Sequence, residues 1–196
     1  MRPPTLTTAR LVIRTVGPGD ADAVFAACQD PDISRWTTVP SPYRREHARD
    51  FLERQVPEGW ADETAYTFGI FLGDGRLTGM VGLTPNPPGA AEIGFWAVPE
   101  HRGRGHVTEA VVAVSHWAFA ERGIDRLEWR AEVGNDASLA VARRAGFTLE
   151  GTLRSGMANK GTRRDCWVGS LLPGDVDREP ATPYRPARPD ADPARV

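Results

Sequence analysis

The chain has 196 residues, a formal net charge of −2 and 40% hydrophobic residues. That length suits one domain with a real core, and the near-neutral charge gives no electrostatic case for nucleic acid as the main partner. Cys28 and Cys166 stand in no metal or redox spacing, no apolar signal core opens the chain, and no apolar run nears the roughly 20 residues of a membrane span. The expectation is a cytoplasmic protein with reduced thiols and no membrane partner. The scattered histidines give no metal-ligand spacing.

Residues 11–14 read as a first strand, broken by Gly17-Pro18-Gly19, with Asp20 as N-cap of a helix over 21–28. Residues 30–43, with Trp36 and several prolines, read as an ordered loop, and 44–55 as a second helix. A meander follows: a strand over 64–72, a Gly73-Asp74-Gly75 turn, a strand over 76–83, a loop over 85–89 and a fourth strand over 91–98. A long helix over 106–122 carries the stripe Val107, Ala110, Val111, Val114, Trp117 and Ala118, with Gly123 as its stop. Residues 126–133 alternate, placing Leu127, Trp129, Ala131 and Val133 on one face. Asn135 caps a helix over 136–145, and 147–153 and 165–172 pair as the last strands. Residues 1–172 are expected to form one domain, and 173–196, rich in Pro, Asp, Arg and Ala, a disordered tail.

The most informative stretch joins the fourth strand to the long helix: Arg102-Gly103-Arg104-Gly105-His106-Val107-Thr108. A strand that turns through glycines into a helix leaves several N–H groups without partners near the positive end of the helix dipole, which makes an anion site. Such a turn can also exist without any ligand. A P-loop needs Gly-Lys-Ser/Thr after the glycines, and Gly105-His106-Val107 stands there. A Rossmann fingerprint needs a glycine where Thr108 stands, and needs the motif after the first strand of a βαβ series, not after a meander.

The order of motifs resembles the GNAT superfamily of acyl-CoA-dependent N-acyltransferases. Arg102-x-x-Gly105-x-Val107 resembles its pyrophosphate loop, and Ala91-Glu92-Ile93-Gly94-Phe95-Trp96, Asn135-x-x-Ser138 and Ala145-Gly146-Phe147 fall in the matching order. The opening Leu6-Thr7-Thr8-Ala9-Arg10-Leu11 resembles the RimJ/RimL-like branch, which acetylates N-terminal amines of ribosomal proteins. The resemblance implies an α/β fold with a mixed, mostly antiparallel twisted sheet, splayed after the fourth strand, and helices on both faces. It implies acetyl-CoA as cosubstrate, an amine acceptor (a protein N-terminus or a small molecule), no metal, and a monomer or homodimer. Two departures stand out. Val107 replaces the usual Gly or Ala and narrows the room beside the phosphates, and Ala142 stands where many relatives carry a tyrosine.

By this resemblance the cofactor contacts are Phe95, Trp96, Ala97 and Val98 on the splayed strand, the loop Arg102, Gly103, Arg104, Gly105, His106, Val107 and Thr108, and Asn135 and Ser138. A backbone N–H near Phe95 or Trp96 would face the thioester oxygen. Ser138 is the candidate donor to the leaving thiolate, and otherwise an ordinary first-turn serine. Glu92 is the first candidate base for the amine and otherwise a salt-bridged strand glutamate, with Asp165 second and Glu109 third. Trp36 and Tyr43 are expected near the acceptor. The alternatives are a non-catalytic acyl-CoA-binding module, or a small-molecule (antibiotic or polyamine) acyltransferase using another acyl-CoA.

Overall fold

The computed structural model describes residues 2–86 and 88–186. Its frame is one twisted sheet in the order β1-β2-β3-β4-β5-β6-β8-β7. A two-residue strand, β1 (Leu6–Thr7), precedes β2 (Leu11–Arg14), so the fourth strand of the sequence reading is β5 (Ala90–Ala97). Between them run β3 (Tyr66–Leu72) and β4 (Leu77–Asn86), which form a meander with β5. β6 (Arg126–Glu132) joins β5 in parallel, and β7 (Thr148–Asn159) and β8 (Thr162–Leu171) close the other edge as a long antiparallel hairpin. A parallel neighbour needs a crossover, and α5 (His106–Glu121) supplies it.

Residue parity decides what each face of the sheet does. Ile93 of β5, Val81 and Leu83 of β4, Phe68 and Ile70 of β3, and Leu127 and Trp129 of β6 share one face and are buried. The whole expected stripe of α5 is buried with them in the core. Each such side chain, fully buried, contributes about 1.5–3 kcal/mol. Trp60, Tyr66, Phe68 and Trp117 form an aromatic cluster at one end of this layer, with centroids 5.1–5.9 Å apart. On the other face, Val24 of α1 (Ala21–Ala27) and His47 of α3 (Arg45–Asp50) share a cavity with Met80 and Trp96. Helices therefore cover both faces.

Several local expectations need correction. Residues 31–36, inside the stretch read as a loop, form the helix α2 (Pro31–Trp36). Pro31 sits in its first turn, and the Asp30 carboxylate accepts a bond from the Ile33 N–H at 2.9 Å. Asp20 does not cap α1 with its side chain. It accepts from the Gly17 N–H and pairs with Arg14 instead. The second helix continues past 55, as α3, a π turn (Phe51–Gln55) and α4 (Val56–Ala61).

Val133 lies beyond the end of β6 and is 42% exposed, whereas Glu132 is buried. The last hairpin is longer than expected, because polar residues 154–164 carry no alternating apolar signal. It turns through Lys160 (φ +48°) and Gly161 (φ +75°). The loop expected over 85–89 is shorter, since Pro85 and Asn86 pair with Ala91 and Ala90, and Pro87 lies outside the described residues. The expected tail begins with order: Pro173–Val176 form a 3-10 turn with Pro173 buried, and the Ala181 N–H donates to Asp125. Residues 187–196 of that tail lie outside the described residues. Among the described residues, no helix is long and apolar enough to cross a membrane.

Candidate active site

The sheet divides in the middle. Pairing between β5 and β6 starts at Ala90 with Arg126 and ends at Ile93 with Trp129. Past that point β5 stays with β4 as far as Ala97, and β6 stays with β8 as far as Glu132. Each strand follows its outer neighbour, and a wedge opens between them. The Val98 N–H donates to Thr78 O on β4 at 2.9 Å. Alternation along an antiparallel strand then turns Trp96 and Gly94 toward β4, and the N–H groups of Phe95 and Ala97 into the wedge. Parity thus separates Phe95 from Trp96, which the sequence left open.

Both strands end in a helix at the open end of the wedge. After β5, Gly103 (φ +72°) and Gly105 (φ +79°) adopt left-handed conformations that favour glycine, and Gly105 is the N-cap of α5. Among the described residues, the N–H groups of Gly103, Arg104, Gly105, His106, Val107 and Thr108 make no hydrogen bond within the protein. The first amide that does is Glu109, to Gly105 O at 3.0 Å. This run at a helix N-terminus suits a diphosphate.

Val107 does not crowd the loop, contrary to expectation. It is 7% exposed and packs into the core, so its branched side chain points away from the anion site. The His106 ring is buried with Nδ1 unpartnered, and burial holds its pKa below the usual value, as does neighbouring Arg10. It offers the loop its backbone rather than its ring.

The arginines divide differently from the sequence reading. Arg102 reaches back to α2, contacting Asp30 at 2.5 Å and Asp32 at 3.1 Å, so its charge is already matched. Arg104 is exposed. A cation held beside the loop is Arg10, which belongs to the opening motif of residues 6–11 but stands outside the site residues expected from the sequence. It donates to Glu109 at 2.7 Å and to Arg104 O at 3.1 Å, and Thr8 donates to the other Glu109 oxygen at 2.5 Å. Burial raises the Glu109 pKa, but the Thr8 and Arg10 hydrogen bonds outweigh it and the net direction is down. Glu109 is therefore a clamp on the N-terminal strands and not a base.

After β6, Asn135 caps α6 (Asp136–Arg144) by accepting from the Ser138 N–H at 3.2 Å. The Ser138 hydroxyl oxygen accepts from the indole N–H of Trp129 at 3.0 Å. Trp129 is the last paired residue before the wedge, so this bond fixes Ser138 at the fork. Among the described residues the hydroxyl accepts this bond and donates none, so its proton is available to donate. Ala142 is buried one turn further on, in the core.

Glu92 lies one register step before the fork, on the face of Trp96, with its carboxylate 3.9 Å from Arg130. Its side chain is half-exposed, and the partial desolvation it undergoes beside the strands pushes its pKa up, against the pull of Arg130. Asp165 is committed elsewhere: its carboxylate accepts from the Ser155 N–H at 2.8 Å, bracing a break in the β7 register. Over the wedge on the Trp96 face lie two cavities that share Cys28 and Tyr43. The smaller, about 200 Å³, is lined by Trp96, Met80 and His47, among others. The larger, about 560 Å³, reaches Glu132 at the end of β6. Tyr43 lines both cavities. Trp36 is not in either lining, and its ring lies against the Arg35 guanidinium, 4.2 Å from the centroid.

The candidate site is thus a parallel pair that parts to expose main-chain donors, with two helix N-termini at its mouth and cavities on the Trp96 face. Residues 10–148 match the family model described as Acetyltransferase (GNAT) domain, so the chain belongs to the GNAT acetyltransferases. It is 31% identical over 176 residues to a Bacillus subtilis protein named as a candidate ribosomal N-acetyltransferase, YdaF, covering 86% of this chain and 94% of that one. It is 35% identical over 92 residues to the ribosomal-protein-serine acetyltransferase of Escherichia coli, covering 46% of this chain and 51% of that one. The fold also matches a structure of RimL, the ribosomal L7/L12 α-N-protein acetyltransferase, in complex with coenzyme A. The TM-score is 0.77 at 22% identity, over 86% of this chain and 98% of that one. Relatives named for acetylation of ribosomal proteins thus stand among the proteins this chain is similar to.

Proposed function

We propose that this protein transfers the acetyl group of acetyl-CoA to a primary amine, a protein N-terminus or a small molecule, by direct attack within the wedge between β5 and β6. The observation that carries this is the end of β5–β6 pairing at Ile93 and Trp129, with unpartnered α5 amides at the open end. The donor fits these residues: the amides of residues 103–108 receive its diphosphate, and the exposed strand edge from Phe95 to Val98 and the Asn135 region receive its arm. It supplies an acetyl thioester, which the amine attacks with loss of the thiolate.

Each remaining demand of the reaction falls on a residue of this chain. The Phe95 N–H points into the wedge and stabilises charge growing on the acyl oxygen. Ser138, oriented by Trp129, donates to the departing sulfur. Glu92, its pKa raised by burial, takes the amine proton directly or through water. Glu132 is a poorer base, since the Arg35 guanidinium holds its carboxyl below the usual range. The inward turn of Val107 removes one ground for a non-catalytic acyl-CoA-binding module. The buried free thiols Cys28 and Cys166 suit the reducing cytoplasm.

The test is calorimetry with CoA, followed by acetyl-CoA turnover against an amine panel, read as free thiol. CoA binding with amine-dependent thiol release is expected. No heat for CoA, or CoA binding with no release for any amine, overturns the proposal.

A further inference from the structure

The larger cavity has a composition that the transfer chemistry does not require. Its walls come from α2, the end of β6 and the tip of the β7–β8 hairpin, which arches over to α2. Lys160 donates to Ser34 O and Oγ, and Asn159 Nδ2 donates to Arg35 O at 3.4 Å. Three cations, Arg35, Lys160 and Arg164, and one carboxylate, Glu132, line the space. Glu132 is saturated by Arg35, which donates to both of its oxygens at 2.6 and 2.7 Å. Among the described residues, the ion pair of Arg164 is a long contact to Glu132, at 3.8 Å, and its side chain, which lines the cavity, is half-exposed. Lys160 spends its bonds on neutral groups.

One cation is thus neutralised and two are not. The Arg164 guanidinium retains the planar fork of donors that matches a carboxylate or phosphate. A volume of about 560 Å³ admits more than the reacting amine, and Cys28 and Tyr43 line both this cavity and the neighbouring one that Trp96 lines.

We infer that this cavity is an anion subsite for the acceptor: the amine substrate carries a carboxylate or phosphate, held by Arg164 and Lys160 while its nitrogen lies at the wedge. This rests on the acetyltransferase reading and specifies its substrate class. A bare alkylamine or polyamine, cationic along its length, meets two unmatched positive charges and is disfavoured. A peptide with an acidic residue close to its free N-terminus, or a small amino acid-like amine, is favoured.

The experiment reads binding as well as turnover, with charge as the only variable. Calorimetry on the CoA-saturated protein compares Ser-Asp-Ala-amide with Ser-Asn-Ala-amide, and β-alanine with β-alaninamide. The peptide arm and the small-molecule arm separate the two sources of the anion. The acid of at least one pair is expected to bind tenfold or more tightly than its amide, with the preference shrinking as salt rises. Arg164→Gln should bring that ratio toward one, and Arg164→Glu should invert it. If kcat/KM can be measured, the same ratio is expected there. Equal binding of acid and amide in both pairs, or a ratio unmoved by either Arg164 variant, overturns the subsite. Loss of turnover with every amine while the binding ratio persists would overturn the acetyltransferase reading and leave the anion subsite standing.

Discussion

The two sides of the wedge are made of different material. The side proposed for the acetyl donor is main chain: amides of residues 103–108 and the Phe95 N–H, placed by two left-handed glycines and by strand parity. The acceptor side is side chain: Arg35, Tyr43, Glu132, Lys160 and Arg164, drawn from four separate parts of the sequence. A backbone site tolerates changes of side chain provided the turn is kept, and the Val107 side chain is buried in the core. A side-chain site changes with each substitution, so it is where relatives of one fold part company over substrate.

The largest expected effect tests the main-chain half. Gly105→Val forces a branched side chain to φ +79° and should weaken CoA binding on the order of 100-fold by calorimetry. Arg104→Ala, which removes an exposed charge but leaves its amide, should cost less than about fivefold. If the two variants lose affinity equally, the donor side is not backbone-built and the contrast fails.

Next comes the fork. Ser138→Ala should lower kcat by roughly 10–100-fold with CoA affinity nearly unchanged. Trp129→Phe, which keeps the ring but removes the indole donor, should cost several-fold. A matched loss of CoA affinity in Ser138→Ala would make that serine a binding group and not a thiolate partner.

Third is the acid limb of kcat/KM. Glu92 must be ionised to take a proton, and burial raises its pKa, so the rate should climb with pH through a value above the ordinary carboxylate range. Glu92→Gln should flatten that limb and lower the plateau by about tenfold. An unchanged limb would return Glu92 to its role beside Arg130.

The smallest effect concerns stability. Arg35 holds the Glu132 pKa down, and Arg126 does the same for Glu150. Their contribution is complete above the ordinary carboxylate range and is lost as pH falls through the lowered folded values. Melting temperature should therefore drop on acidification below about pH 4, and Glu132→Gln should remove part of that slope with a shift of no more than about 3 °C.

The same division of material explains what could be read from the chain. The α5 stripe, most of the β6 alternation and the glycine turn are local signals, and the helix, the strand and the left-handed turn stand where they were expected. The helix α2 was missed because Trp36 and the surrounding prolines suggested a loop, although Asp30-Pro31, a capping residue followed by proline at the first position, signals a helix start. The β7–β8 tip was missed because its turn is Lys160-Gly161 and its flanks are polar on both faces. Glu132 looked like the solvent side of an alternating strand. Only its partner Arg35, 97 positions earlier, accounts for its burial. Pairs such as Arg10 with Glu109 and Arg102 with Asp30 join residues 99 and 72 apart, and no window on the sequence brings them together.

Asp30 performs two tasks at once, starting α2 and anchoring Arg102 from the glycine turn. Anyone grafting a relative's acceptor-side helix onto this scaffold, to redirect it to a new amine, must therefore carry that aspartate along. A transplant without it would unfasten the diphosphate turn and weaken CoA binding, although no inserted atom would touch the nucleotide.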